Sequence, residues 1–320
     1  NKLWNAARFV MMNLDGQTPK DLHVSSSFNE IQEFDFIYGE ALEKADEWIL
    51  SRFYQTVKQT RDYIEAYSLG EAATGLYEFI WGDFCDWYIE LVKSRLWQDK
   101  TSASRRIAQR VLAHVLEGTL ILLHPFMPHI TEEIWQTLTK AEGNNTLALQ
   151  SYPQNDAFIE PQIETSFELL FGVIRTIRNL RAEAVVKPGD KITVILQTQS
   201  DVEINTLQPV SEYIKDIGKV ENLTITKTLA EDPGQVIASV YGTVQVIIPL
   251  TGFVDIPALR KKLEKKLEKV KKEIKSLSGR LKNPGFVNKA PQDVIQAAKE
   301  SLAEAETQAE ILRERVKRLE

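Results

Sequence analysis

The sequence predicts a mainly α-helical protein: an antiparallel helical bundle, then a small α/β module, then an antiparallel coiled-coil hairpin. Three observations predict this. Apolar residues recur every three to four positions up to about residue 140, β-branched runs appear only after residue 190, and two heptad repeats end the chain. We place the bundle at 1–142, a linker at 143–164, the α/β module at 165–256 and the hairpin at 257–320.

The bundle is predicted from long apolar stripes separated by short polar connections. The stripes favour helices over about Phe36–Tyr67, Leu69–Gln98 and Ser102–Leu123. Short connections make successive helices antiparallel. Two prolines in residues 124–128 break the third helix, and the acidic residues that follow favour a new helix start. Residues 143–164 begin with Gly143-Asn144-Asn145 and contain two prolines among few large apolar residues, which is typical of a linker.

The α/β module is predicted from a change of period. An amphipathic helix is expected at about Thr165–Glu183 and a β-branched strand at Lys191–Leu196. A short helix at Val210–Ile217, a strand at Leu223–Thr226 and a β-hairpin at Ala238–Ile248, turning near Gly242, complete it.

The last segment contains two heptad seams. The first runs from Leu263 to Leu281 and the second from Ile295 to Leu319. Asn283-Pro284-Gly285 and Pro291 lie between them, so the chain is predicted to reverse into an antiparallel hairpin about 40 Å long. An alternative is a structural adaptor whose heptads pair with a partner coiled coil.

Positive charge is concentrated in this hairpin. The net charge of −6 divides into −9 for residues 1–160, −4 for 161–256 and +7 for 257–320. A local excess of cations predicts a polyanionic partner, and the alternative is a solvated lysine-rich face. The candidate phosphate contacts are Arg260, Lys261, Lys262, Lys265, Lys266, Lys269, Lys272, Lys275, Arg280, Lys282 and, in the turn, Lys289.

Catalytic and metal motifs are weak. Cys85 lies beside two carboxylates but has no nearby histidine, and an aromatic helical stripe favours a buried, inert thiol. His129 with Glu132 and Glu133 resembles a sparse metal pair, but no third ligand has a suitable spacing, so a helix start is the better interpretation. We expect no metal site or cofactor in this chain, no membrane segment and a reducing cytoplasmic location. Three arginines on one helix edge could hold phosphates or be solvated: Arg175, Arg178 and Arg181.

Several runs resemble the C-terminal portion of the valyl-tRNA synthetase family. Residues 1–10 (NKLWNAARFV) are similar to the first helix of its anticodon-binding bundle, and residues 84–90 (FCDWYIE) resemble its mid-bundle signature. Residues 124–129 (HPFMPH) with 132–135 (EEIW) are shared more widely by synthetases for branched aliphatic amino acids. Residues 283–287 (NPGFV) and 289–291 (KAP) resemble the tip of the valyl enzyme's C-terminal arm, whereas isoleucyl relatives commonly end in a Cys-rich zinc module.

This resemblance implies the anticodon-binding fold of class Ia synthetases and a role in binding tRNA(Val) as a monomer. The family's two ATP-site signatures and its editing domain are absent from this sequence. ATP and Mg²⁺ would therefore bind a catalytic domain outside this chain, and this segment would position tRNA for aminoacylation there. For anticodon contacts the resemblance directs attention to Asn5, Arg8 and Met12 on one face of the opening helix, although Arg8 could instead pair with a bundle carboxylate.

Overall fold

The computed structural model describes residues 1–22, 42–154, 158–229, 232–250, 256–282 and 292–317. Within them the chain is mainly helical and contains a small four-stranded sheet. It divides into two compact units, Asn1–Phe171 and Gly172–Glu320. The division falls inside a helix, whereas the sequence places a linker at 143–164.

The first unit is the predicted helical bundle. Its helices are α1 (Lys2–Asn13), α2 (Lys44–Glu65), α3 (Leu69–Glu78), α4 (Ile89–Leu96), α5 (Ala103–Leu123) and α6 (Pro128–Thr139). A π-helical segment (Phe79–Tyr88) joins α3 to α4, and a short 3-10 helix (Leu147–Leu149) follows α6. The predicted helix over Leu69–Gln98 is thus helical almost throughout, with a local change of hydrogen bonding.

Aromatic side chains fill the core of this unit. Phe53, Tyr54, Phe79 and Phe84 are almost completely buried, and Trp48 stacks on Phe167 with ring centroids 5.2 Å apart. Burial of side chains of this size is the main stabilising contribution to a bundle.

A buried ion pair crosses the same unit. Arg95 donates to both carboxylate oxygens of Asp46 at 2.8 Å, and the Tyr88 hydroxyl donates to Asp46 at 2.7 Å. Asp46 also closes a capping box with Glu43 at the start of α2. The helix therefore begins at Lys44, and the earlier start predicted at Phe36 is wrong for residues 42–43. Residues 36–41 lie outside the described part of the chain.

The second unit begins within α7 (Pro161–Glu183) and contains strands β1 (Ile192–Gln197), β2 (Val220–Thr226), β3 (Val236–Tyr241) and β4 (Val244–Pro249). The strand order is β2-β1-β4-β3, with β1 parallel to β2 and the other two pairs antiparallel. The β3-β4 hairpin turns at Gly242, whose φ of 58° lies in the left-handed region. This confirms the predicted strands and the hairpin.

Two helices connect β1 to β2. The second, α9 (Ser211–Gly218), was predicted, but the first, α8 (Asp201–Leu207), was not. Its sequence is short and polar, and Ser200 caps it by accepting a hydrogen bond from the Glu203 amide. Likewise, α7 begins four residues before the predicted position.

The chain ends in the predicted helical hairpin, formed by α10 (Ile256–Lys282) packed along α11 (Gln292–Lys317). Seam residues Leu263, Leu267 and Val270 on α10 are buried, as are alanines 298, 305 and 309 on α11. Small alanine side chains allow the two helices to approach closely. The predicted turn at 283–291, with Lys289, lies outside the described residues.

Candidate nucleic-acid interface

The opening helix presents the predicted polar face to solvent. Asn5, Arg8 and Met12 are exposed, and Met12 retains 75% of its accessible surface. Among the described residues Arg8 forms no ion pair, so the alternative in which it pairs with a bundle carboxylate has no support in that part of the chain.

One end of the bundle gathers cations around the loop after α1. Asp15 accepts hydrogen bonds from Arg105 at 2.8 Å and from Gln109 at 3.2 Å, and Lys100 lies 3.2 Å from its carboxylate. Burial acts to raise the pKa of Asp15, but Lys100 and Arg105 outweigh it and lower that pKa below its ordinary value. These contacts join the loop after α1 to the first turns of α5 and to the loop that precedes α5. We call the end of the bundle formed by Asp15, Lys100 and Arg105 the Asp15 end.

Trp97 lies in that loop, and sequence reasoning missed it. Its side chain is 75% exposed, and the carbonyl of the next residue, Gln98, accepts a hydrogen bond from Arg105 at 2.8 Å. Since Arg105 also holds Asp15, Trp97 and Met12 lie at the same end of the bundle. The sequence feature that could have identified Trp97 is its position between the last apolar turn of α4 and the polar run Gln98-Asp99-Lys100, where an aromatic side chain is expected to be exposed.

On the hairpin, α10 carries the predicted cationic face. Exposed cations run along nearly its whole length, and Lys265, Lys266 and Lys269 form no ion pair within the described residues. The full exposed set is Lys261, Lys265, Lys266, Lys269, Lys271, Lys272, Lys275, Arg280 and Lys282. Arg260 is half-buried and pairs with Glu264 at 3.0 Å.

Two predicted RNA contacts have other partners. Arg181 is buried and donates to the main-chain oxygens of Asp190 at 2.8 Å, Lys219 at 3.1 Å and Lys187 at 3.2 Å. Arg181 therefore does not lie on the exposed edge of α7, where Arg175 and Arg178 are exposed. Lys262 is half-buried and donates to main-chain oxygens at the end of α7.

The alternative catalytic and metal sites gain no support. Burial raises the pKa of the Cys85 thiol to about 11, which keeps it protonated at neutral pH. Glu132 accepts hydrogen bonds from the Leu147 amide and the Thr146 hydroxyl. No cluster of three potential metal ligands occurs among the described residues.

Two regions match known domains. Residues 46–196 match the model described as the anticodon-binding domain of tRNA ligase, and residues 255–320 match the model described as the valyl tRNA synthetase tRNA binding arm. A protein named valine–tRNA ligase from a Synechocystis species is 57% identical over 324 residues, which cover 100% of this chain and 34% of the relative. The chain belongs to the valyl-tRNA synthetase family and corresponds to its C-terminal region.

Other members of the valyl-tRNA synthetase family align in the same way. A valine–tRNA ligase from a Nostoc species is 47% identical and one from Thermosynechococcus vestitus is 50% identical, covering 100% and 95% of this chain. The chain spans 41% and 32% of their lengths. No helix in the described ranges is long and apolar enough to cross a membrane.

Proposed function

We propose that this chain binds tRNA(Val) and positions it for aminoacylation by a catalytic domain of a longer polypeptide. The bundle receives the anticodon end and the helical hairpin binds the phosphate backbone at the outer corner of the folded RNA. ATP and Mg²⁺ would bind that catalytic domain, in a cytoplasmic protein that acts as a monomer. Clamping a substrate at two distant points serves catalysis by orientation.

The observation that carries this proposal is the row of exposed lysines on α10. Their ammonium groups are available to phosphates, and replacing condensed counterions around RNA gives affinity that falls with salt. The adaptor alternative is weakened because α10 and α11 pack along each other and bury the seam residues Leu263, Leu267 and Val270, which are then not available to a partner coiled coil.

A salt titration tests the arm. Replacing Lys265, Lys266, Lys269 and Lys272 with Ala should weaken binding to all tRNAs alike and reduce the slope of log affinity against log salt by about 3. A matched control removes four exposed lysines elsewhere, Lys44, Lys58, Lys191 and Lys227, and should leave the slope unchanged. Equal slopes for the parent and the arm variant would refute the arm's role.

The Asp15 end supports a proposal for anticodon contacts. An exposed indole beside cationic side chains suits the unstacked bases of an RNA loop, which bind by stacking and edge contacts. Each base stacked on an aromatic ring contributes about 1–3 kcal/mol, so Trp97→Ala should weaken tRNA binding by about fivefold or more. Tyr67, which is 91% exposed at the end of α2, provides the control substitution Tyr67→Ala.

Specificity is tested with two transcripts. We expect unmodified tRNA(Val) to bind more tightly than the same transcript with a changed anticodon, and Trp97→Ala to reduce that difference. Equal binding of both transcripts by the unsubstituted chain would show that the bundle does not read the anticodon. Sedimentation should give a monomer, since the adaptor alternative predicts dimers that depend on concentration.

A further inference from the structure

The C-terminal end of α7 lies where the hairpin leaves the α/β module. An α-helix leaves its last four carbonyl groups without helical partners, and in α7 these belong to residues 180–183. The chain satisfies two of them locally. The Ala184 amide donates to the Leu180 oxygen at 2.8 Å, and the Val186 amide donates to the Arg181 oxygen at 3.0 Å.

The other two carbonyls are satisfied from the hairpin. The Lys262 ammonium lies 2.5 Å from the Ala182 oxygen and 3.5 Å from the Glu183 oxygen. Lys262 is in the second turn of α10, so this contact joins the root of the hairpin to the end of α7. It completes the cap and places a cation at the negative end of the helix dipole.

Lys262 therefore differs from the lysine one turn further along the same face. Lys266 is exposed and forms no ion pair within the described residues, whereas Lys262 is half-buried and already bonded. Breaking the Lys262 contact would return two carbonyl groups to solvent and remove a tie at the base of a thin two-helix arm.

We infer that Lys262 is a positioning residue, which fixes the direction of the arm by capping α7 and acts on tRNA binding through that direction. This inference rests on the proposed function of the arm. It reassigns one of the lysines predicted from charge alone to be a phosphate contact.

Pulsed electron paramagnetic resonance on the full chain tests the geometry. Spin labels at Thr224→Cys in β2 and Ser276→Cys in α10, both exposed sites, report the distance between the module and the arm in a Cys85→Ser background. Lys262→Met should broaden the distance distribution. Lys266→Met should leave it narrow, and Lys262→Arg should restore it because a guanidinium can also donate to both carbonyls. A narrow distribution in Lys262→Met would overturn the inference.

Salt-dependent binding to tRNA(Val) tests the mode of action. Lys266→Met should reduce the salt slope by about 0.7–0.9, as expected for one lost phosphate contact, whereas Lys262→Met should weaken binding with the slope unchanged. An equal loss of slope in the two variants would make Lys262 a phosphate contact and overturn the inference. If the unsubstituted chain binds no tRNA, the proposed function fails, while the distance measurement still decides whether Lys262 sets the direction of the arm.

Discussion

Glu117 is a buried carboxyl group whose protonation should control the stability of the bundle. It is 5% exposed, and the Trp135 indole donates to one of its oxygens at 3.2 Å, while the other oxygen has no hydrogen-bond partner. Burial raises the pKa of Glu117 from 4.5 to about 7, against a smaller lowering by the Trp135 hydrogen bond. The folded bundle therefore binds this proton more tightly than the unfolded chain does.

The sign of the pH dependence follows from that difference. A group whose pKa is higher in the folded state stabilises the fold below its unfolded pKa of 4.5, and this contribution is lost as the pH rises to about 7. At about 1.4 kcal/mol per pKa unit, Glu117 should lower the free energy of unfolding by about 3 kcal/mol between pH 4.5 and pH 7.

His114 acts in the opposite direction. It is buried, with its Nε2 2.9 Å from the Tyr54 hydroxyl, and burial lowers its pKa from 6.5 to about 3. Its contribution is present above pH 6.5 and is lost as the pH falls towards 3. Between pH 4.5 and pH 6.5 the contributions of Glu117 and His114 to the pH dependence of stability have opposite signs and should nearly cancel.

Glu117→Gln removes the contribution of Glu117 to the pH dependence of stability and keeps that of His114. As the pH falls from 6.5 to 4.5, the free energy of unfolding of this variant should decrease by about 1.4 kcal/mol per pH unit relative to that of the parent. Urea unfolding followed by tryptophan fluorescence is selective for this unit, because all six tryptophans lie in residues 1–171. Glu133→Gln, at an exposed site on the same helix as Trp135, is the control. Parallel profiles for Glu117→Gln and the parent would refute the reasoning.

Four further substitutions test the buried ion pair and the packing. Arg95→Met leaves Asp46 as an uncompensated buried carboxylate and should lower the free energy of unfolding, measured in urea, by about 3–5 kcal/mol. Adding Asp46→Asn should recover part of this loss. A double variant whose loss equals the sum of the two single losses would contradict the reasoning. Gly172→Ala would place a Cβ 2.0 Å from the Tyr241 ring, so we expect it to lower the free energy of unfolding by about 1–3 kcal/mol and to speed hydrogen exchange in β3. Gly279→Ala has no neighbour within 4 Å of its Cβ and should stabilise α10 by about 0.5–1 kcal/mol. Unchanged exchange in β3 would show that the ring moves aside freely.

The helical periodicity predicted which residues are buried where the pattern is apolar. The seam of α10 and the strand after Lys191 follow directly from spacing. Polar residues were harder to place, as Arg181 shows. A step of three residues turns a helix by about 300°, so two such steps from Arg175 carry Arg181 about 120° around the axis, away from the exposed edge. Its burial also depends on carbonyls at Lys187, Asp190 and Lys219, which only the folded chain brings together.

The buried ionisable groups could not be predicted for a related reason. Asp46 and Arg95 are separated by 49 residues, and each follows ordinary helical sequence. Glu117 and His114 lie within an apolar helix in which every residue from 111 to 123 is buried, but the sequence does not say which polar side chain finds a partner. Their effect on stability therefore comes from tertiary contacts and not from local propensity.

The two helices of the hairpin differ in charge. Two helices that share one apolar seam turn their other faces in different directions, so the face of α10 and the face of α11 meet different surroundings. Eleven basic and three acidic residues lie between 257 and 282, whereas α11 has six acidic and four basic residues. Glu300, Glu304, Glu306 and Glu310 of α11 are exposed. Because phosphates are attracted to the excess of cations on α10 and repelled by the exposed acids of α11, we expect the proposed backbone contacts to lie mainly along α10. The contact between Lys262 and the end of α7 would then determine where this cationic face lies relative to the α/β module.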